Sequence, residues 1–151
     1  MIIKECFNVG DIKAVLCHPE VYDVISSDEC PLLADFEPPM TEEYTYIVGY
    51  VKGEPIGVMI YHKYRDGLEC HVQVLPQYRK EHAINFGQQS LEFRGTVPIY
   101  AEIPDLYKNV LAFALLNNFE VIEVKENDYI KNGKTYNVNV LEYIPWDSFA
   151  T

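Results

Sequence analysis

Three extended segments separated by two tight turns occupy residues 44–75, and they constrain the fold of this chain more than any other feature. The segments read YTYIVGYV, IGVMIYHKY and LECHVQVL, and they are rich in β-branched and aromatic residues. The connections KGEP and RDG carry the glycine, proline and aspartate that turns prefer. The pattern predicts an antiparallel meander of three strands.

Helical and extended patterns flank this meander. Two short helices precede it, one around residues 11–16 and one opened by Pro19. A helix over about residues 79–93, a strand at 97–102, a helix around 106–116 and two closing strands follow it. We therefore predict an α+β fold with a mixed, mostly antiparallel sheet of six to seven strands and about four helices.

One pair of strands in this sheet is expected to be parallel. The strands at residues 68–74 and 97–102 are joined through a helix, and a strand, helix, strand unit normally connects parallel neighbours. The helix should pack across both strands. Strand ends that splay apart at this pair would leave a cleft.

Composition favours one domain spanning residues 1–151. A chain of this length supports one hydrophobic core but is short for two. No apolar run approaches the roughly 18 to 20 residues that span a bilayer, and no basic region precedes an apolar one at the N-terminus. We expect a protein without a membrane span that is not secreted by a signal peptide. The formal net charge of −11 repels phosphates, which argues against direct binding of nucleic acid.

The four cysteines show neither a disulfide framework nor a metal-binding pattern. Cys6, Cys17, Cys30 and Cys70 form no CxxC pair and have no histidines at zinc-ligand spacing. We expect four reduced thiols and no metal site. Trp146 and Phe149, near the C-terminus, are candidates for covering a sheet edge or for a partner surface.

The strand LECHVQV carries the candidate catalytic residues. Side chains alternate along a strand, so Glu69, His71 and Gln73 share one face, while Cys70 shares the other with two valines. A glutamate or histidine whose pKa lies near neutrality, such as Glu69 or His71, can act as a general base. The alternative is a polar pair that forms hydrogen bonds across a half-buried sheet. Cys70 is expected to be an inert core thiol.

The segment VLPQYRKEHAINFG resembles the coenzyme A loop of the GNAT superfamily of acyl-CoA N-acyltransferases. In that family a strand and a proline lead into an Arg/Gln-x-x-Gly-x-Gly/Ala loop, whose backbone amides hold the cofactor pyrophosphate. Val74, Pro76, Tyr78 and Arg79 match, whereas His82 and Ile84 stand where the family has glycines. The order of elements also resembles the family along nearly the whole chain. The resemblance implies a GNAT-like acyl-CoA N-acyltransferase fold.

The resemblance also implies which residues lie beside acetyl-CoA or coenzyme A. These residues are Gln73, Val74, Leu75, Arg79, Lys80, His82, Ile84 and Asn109. Glycine lets a backbone approach phosphate closely and reach positive φ angles, which histidine and isoleucine oppose. We therefore expect the cofactor to bind weakly or not at all, with a dissociation constant above roughly 100 μM. This constant corresponds to a binding free energy of about −5.5 kcal/mol.

The segment IPDLYKNVLAFALLNNF resembles the last helix of the family and the strand that follows it. Asn118 precedes Phe119 where the family has glycine, and asparagine is the next-best residue for a left-handed helix end. The tyrosine that often serves the family as general acid falls at Ala114. The resemblance therefore implies a preserved fold without that acid.

Three stretches resemble GNAT-like proteins encoded with the structural genes of short-tailed bacteriophages. They read HPEVYDVISSDE, ECHVQVLPQYR and NFEVIEVKENDYIKNGKTYNVNVLEY. This resemblance implies a role in head assembly or as an internal virion component, phage structural proteins as partners, and a location in the host cytoplasm or the virion. The alternative is an active N-acetyltransferase that moves an acetyl group from acetyl-CoA to an amine.

Overall fold

The computed structural model describes residues 1–145, so the predictions for Trp146 and Phe149 lie outside the described residues. The described chain contains one seven-stranded sheet and four α-helices. The strands are β1 Ile2–Glu5, β2 Tyr44–Val51, β3 Glu54–Tyr64, β4 Gly67–Val74, β5 Ile99–Pro104, β6 Phe119–Lys131 and β7 Lys134–Tyr143. The helices are α1 Val9–Leu16, α2 Pro19–Ile25, α3 Arg79–Leu91 and α4 Lys108–Leu116. The predicted α+β architecture is confirmed.

The sheet has the strand order β1-β2-β3-β4-β5-β7-β6. The predicted meander is β2, β3 and β4, which pair antiparallel in sequence order. Strand β1 extends the sheet beyond β2, although the sequence analysis placed two helices first. Its four residues are mostly exposed, so the strand carries no alternating pattern by which the sequence could reveal it.

The predicted parallel pair is confirmed as β4 and β5, and these strands diverge soon after they meet. They pair at two positions, Leu68 with Ile99 and Glu69 with Tyr100, and pairing stops beyond Glu69. Strand β5 begins two residues later than predicted, after Pro98, which has no N–H to donate to a ladder and whose carbonyl oxygen accepts a hydrogen bond from the N–H of Leu68. The divergence opens a gap in the middle of the sheet.

Each face of the sheet carries its own core. Helices α3 and α4 cover one face, where Phe86 is fully buried among side chains from the strands. Helices α1 and α2 cover the other face, where Ile12 and Val15 of α1 pack on Val58 of β3. Helix α3 ends at Leu91 and passes into a short 3-10 turn, slightly earlier than predicted. No helix within residues 1–145 is long and apolar enough to cross a membrane.

Candidate functional site

A cavity of about 300 Å³ passes through the gap between β4 and β5. Its wall is mostly apolar and includes side chains from both faces of the sheet. On the face of α1 and α2 it is bordered by Val24, Ile25, Glu69, His71, Gln73 and Tyr129, and on the face of α3 and α4 by Gly87, Leu91, Phe113, Ala114 and Asn117. The divergence of two parallel strands therefore creates a channel-like space that a ligand can enter.

Three polar side chains converge beside this cavity. His62 of β3 lies opposite Glu69 of β4 in the antiparallel register, and His71 follows Glu69 by two residues, on the same face. Nε2 of His62 lies 3.2 Å from Oε1 of Glu69, and Nε2 of His71 lies 3.5 Å from Oε2. The two Nε2 atoms are 3.0 Å apart. We call this group the His62–Glu69–His71 cluster.

The two imidazole rings of the cluster meet at their edges and do not stack face to face. Their centroids are 5.1 Å apart, much farther than their Nε2 atoms, and the ring planes differ by only 17°. Nδ1 of His62 lies 3.1 Å from the carbonyl oxygen of Lys63, which can only accept a hydrogen bond. The neutral His62 ring therefore carries its proton on Nδ1 and directs the lone pair of Nε2 into the cluster.

Burial changes the acid-base properties of this cluster. Desolvation, followed by the negative charge of Glu102, raises the pKa of Glu69 to about 7. Desolvation, followed by the neighbouring His62, lowers the pKa of His71 to about 4. The side chain of His71 is 42% exposed, but it faces the narrow cleft with protein around it. At neutral pH the His71 ring is neutral, and Glu69 is close to the midpoint between acid and carboxylate.

A second carboxylate, Glu102 of β5, lies on the far side of the gap. It accepts hydrogen bonds from the Tyr64 hydroxyl and from Nζ of Lys125, the latter at 2.8 Å. Desolvation opposes ionisation of Glu102, but the bonds from Lys125 and Tyr64 outweigh it, and the net effect lowers the pKa of this carboxyl. Glu102 therefore carries a stable negative charge near Glu69.

The structure separates the residues that the family resemblance implies for coenzyme A. Gln73 joins Glu69 and His71 at the cavity wall. Val74 and Leu75 are buried at the end of β4, where they contribute to the two cores. Lys80 and Asn109 are exposed at the N-terminal ends of their helices and do not line the cavity.

The segment with the two replaced glycines forms a regular helix. His82 and Ile84 lie inside α3, and neither has a positive φ angle. The ring of His82 is largely buried beside Tyr78, with centroids 6.1 Å apart, whereas Ile84 is exposed. Nε of Arg79 donates to the carbonyl oxygen of Val74 at 2.9 Å, which ties this side chain to the end of β4. His82 and Ile84 are therefore accommodated in regular helix, without backbone strain at either position.

The end of the cavity beside the C-terminus of α4 holds an unsatisfied polar atom. Asn117 is only 9% exposed, and its Nδ2 donates to the carbonyl oxygen of Phe113. Its Oδ1 has no hydrogen-bond partner among residues 1–145. Ala114, where the family has tyrosine, also lines this end, so the small side chain leaves space there.

Sequence reasoning identified Glu69 and His71 but missed His62, Glu102 and Asn117. The position of His62 was recoverable, because counting outward from the Arg65–Asp66 turn pairs His62 with Glu69. Nothing local identified the other two. Glu102 reaches the site through the parallel pairing of β5 with β4, and Asn117 through the packing of α4 over the gap.

Comparison with known proteins identifies the fold. No protein-family model matches the chain, and no curated protein matches its sequence. Solved structures do match.

A ribosomal-protein-alanine N-acetyltransferase from Brucella melitensis has a TM-score of 0.71 and 15% identity, covering 96% of this chain and 100% of that chain. A GNAT superfamily phosphinothricin acetyltransferase from Sinorhizobium meliloti, solved in complex with AcCoA, has a TM-score of 0.70 and 16% identity, covering 99% and 91%. A putative acetyltransferase from Acinetobacter baylyi ADP1 has a TM-score of 0.78 and 12% identity, covering 95% and 92%. The chain therefore has the GNAT acyl-CoA N-acyltransferase fold.

Proposed function

We propose that this chain is a protein-interaction module of a short-tailed phage, built on a GNAT fold with a degenerate coenzyme A site, and that it serves in head assembly or inside the virion. The observation that carries the interaction role is the edge strand β6. This strand is 13 residues long and lies at the end of the sheet. The phage assignment depends on the sequence resemblance described above.

Apolar side chains are concentrated on and just before this edge. Val121, Ile122 and Val124 of β6 are 42–50% exposed, and the preceding Leu115 and Leu116 of α4 are 50% and 75% exposed. We call these five residues the edge patch. A long edge strand with exposed apolar side chains offers unpaired backbone groups and hydrophobic area to another protein. A phage structural protein is the partner that the sequence resemblance implies.

The coenzyme A segment supports the same proposal. Glycines that would let a pyrophosphate approach the backbone are replaced by His82 and Ile84, and the largely buried His82 ring packs beside Tyr78 at the start of α3. Arg79 is already engaged with the Val74 carbonyl. These features weaken a cofactor site without disturbing the fold, as an assembly module requires.

The edge patch gives the direct test of this proposal. Val121→Lys and Val124→Lys together should abolish incorporation of the protein into phage particles, measured by quantitative mass spectrometry of purified virions. Glu120→Lys and Glu126→Lys, which add lysines to the same strand without removing apolar side chains, are the matched control and should incorporate normally. Absence of the wild-type protein from particles and from assembly intermediates would overturn the proposal.

A second candidate function is acyl transfer from acetyl-CoA to an amine, and the open gap between β4 and β5 favours it. The amine nitrogen would attack the thioester carbonyl carbon, so that the C–N bond forms and the C–S bond breaks. Glu69, directly or through water, would take the proton from nitrogen. Because Ala114 has no acidic group, the leaving thiolate would take its proton from water, and the hydroxide left would take the proton held by Glu69, which restores the carboxylate. Backbone N–H groups freed by the divergence would stabilise the carbonyl oxygen.

Calorimetric titration with acetyl-CoA at physiological salt separates the two candidates. The first predicts a dissociation constant above roughly 100 μM. Low-micromolar binding that is lost in Arg79→Ala, together with amine-dependent release of free thiol that is lost in Glu69→Gln, would establish the acyltransferase instead. Neither result depends on virion incorporation, so each function can fail by itself.

A further inference from the structure

We propose that the His62–Glu69–His71 cluster binds a divalent transition-metal ion, and that Zn²⁺ fits it best. The proposal concerns a site that the family resemblance does not imply and that the sequence analysis did not expect. It is compatible with the interaction module, whereas in the acyltransferase Glu69 would be engaged by the metal ion and could not also serve as the free general base.

The ligand atoms lie close to the spacing that a metal requires. Tetrahedral zinc has bonds of about 2.0–2.2 Å to histidine nitrogen and carboxylate oxygen, which places neighbouring ligand atoms roughly 3.3–3.5 Å apart. The two Nε2 atoms of the cluster are 3.0 Å apart, and they lie 3.2 and 3.5 Å from different oxygens of Glu69. With one ligand atom taken from each residue, the three atoms lie within 4.8 Å of one another. Small rotations of the side chains therefore suffice to enclose an ion.

Regular backbone holds the three ligands in place. The register of β3 and β4 pairs His62 with Glu69 and Ile60 with His71. All three cluster side chains thus project from adjacent positions on one face of a sheet, where the backbone is fixed by ladder hydrogen bonds. A site on two paired strands is more rigid than one on loops, so little ordering energy is lost on binding.

A hydrogen bond outside the cluster prepares His62 as a ligand. Its Nδ1–H donates to the carbonyl oxygen of Lys63, a type of contact that fixes the tautomer of metal-binding histidines. Nε2 of His62 consequently carries an unprotonated lone pair, which faces another imidazole nitrogen and a carboxylate. Without a cation, the repulsion between these hydrogen-bond acceptors is relieved only by protons shared among them. A metal ion would satisfy all three ligand atoms at once.

The chemistry of the ligands selects the class of ion. Two imidazoles and one carboxylate suit zinc and its first-row neighbours, whereas Ca²⁺ and Mg²⁺ prefer an all-oxygen shell. As a carboxylate ligand, Glu69 would supply negative charge, while the Glu102 carboxylate across the gap is paired with Lys125. His71 borders both the central cavity and a second pocket beside Tyr44 and Pro39. A fourth coordination position would therefore be open to water, as in zinc sites with three protein ligands.

Calorimetric titration of chelator-treated protein with Zn²⁺ tests the proposal. We expect one ion per chain and at least a tenfold loss of affinity in each of His62→Asn, Glu69→Gln and His71→Asn. His18→Asn is the matched control, because it removes an imidazole outside the cluster and asparagine can still cap α2. It should bind Zn²⁺ like the wild type.

Substitution of Co²⁺ into the wild-type protein gives a second readout that needs no variant. The visible spectrum of the bound ion should report tetrahedral nitrogen and oxygen coordination, and Zn²⁺ should displace it. Absence of saturable binding would overturn the proposal, and so would binding that the three ligand variants leave unchanged. If circular dichroism shows that a variant is unfolded, the Co²⁺ spectrum of the wild-type protein tests the proposal in its place. An octahedral spectrum, which is typical of weak surface binding, would count against the site.

Discussion

Gly49 of β2 lies directly against the ring of Phe86, the fully buried aromatic side chain of α3. A Cβ atom at Gly49 would lie only 2.8 Å from Cδ1 and 2.9 Å from Cε1 of that ring. A Cβ atom at Gly57 of β3 would lie 3.2 Å from Cδ2 and Cε2. The ring thus occupies space that two glycines leave open on the sheet, and this contact sets how closely α3 can approach.

Gly49→Ala should destabilise the protein by about 1–3 kcal/mol, because the added methyl group overpacks a filled core. Urea unfolding followed by circular dichroism measures the change. Gly87→Ala in α3 is the matched control. Its methyl group would meet Phe113 Cζ at an ordinary 3.5 Å, and removing a helical glycine should stabilise by about 0.5–1 kcal/mol. Equal unfolding midpoints for the two variants would contradict the packing argument.

Asn118, just after α4, should tolerate glycine better than alanine. Its φ angle of 71° confirms the left-handed conformation expected at this helix end, and its Nδ2 donates to the carbonyl oxygen of Ile144. Both variants lose that hydrogen bond. Alanine also opposes the left-handed backbone conformation, which costs about 1–2 kcal/mol of stability. Thermal and urea unfolding should place Asn118→Gly above Asn118→Ala in stability. The reverse order would show that the backbone conformation is not the controlling factor.

Asp28 should titrate below its ordinary pKa near 3.8. Its carboxylate accepts the backbone N–H groups of Asn132 and Gly133, each at 2.9 Å, and the bond from Gly133 and then that from Asn132 lower its pKa. The stabilisation that Asp28 gives to the turn at Asn132 and Gly133 is therefore fully present above the ordinary pKa, and it is lost as pH falls through the lowered pKa of the folded state. NMR titration of the two amide shifts measures the midpoint. Asp28→Asn, which cannot ionise, should remove the transition, and a midpoint at or above 3.8 would contradict the contact.

The four thiols should differ sharply in reactivity. Cys30 is exposed and Cys17 is half-buried, whereas Cys6 and Cys70 are buried, and all four are free. A thiol reagent should modify Cys30 first under native conditions and should reach Cys6 and Cys70 only after unfolding. Mass spectrometry of freshly prepared, unreduced protein should count four modified cysteines in denaturant. A count of two would reveal a disulfide, and rapid native labelling of Cys70 would show that β4 opens readily.

The sequence predicted the main elements because their signals are local. Alternation of apolar residues and the turn at Arg65–Asp66 identified β3 and β4, and helical spacing identified α3. The same local reading missed β1, whose four exposed residues are held only by pairing with β2. It also gave the beginning of β5 two residues early, because Pro98 cannot donate to a ladder and the strand begins after it.

For the candidate site, the sequence by itself determined which side chains share a strand face, since the alternation of β4 places Glu69 with His71 whatever lies around them. Only the tertiary structure decided what these residues face. Pairing with β3 brings His62 to both of them, and the divergence of β5 opens the cavity and places Glu102 across it. Burial then raises the pKa of Glu69 and lowers that of His71. These properties depend on residues far apart in the chain, so they exist only in the folded protein, where the strands of the sheet are paired.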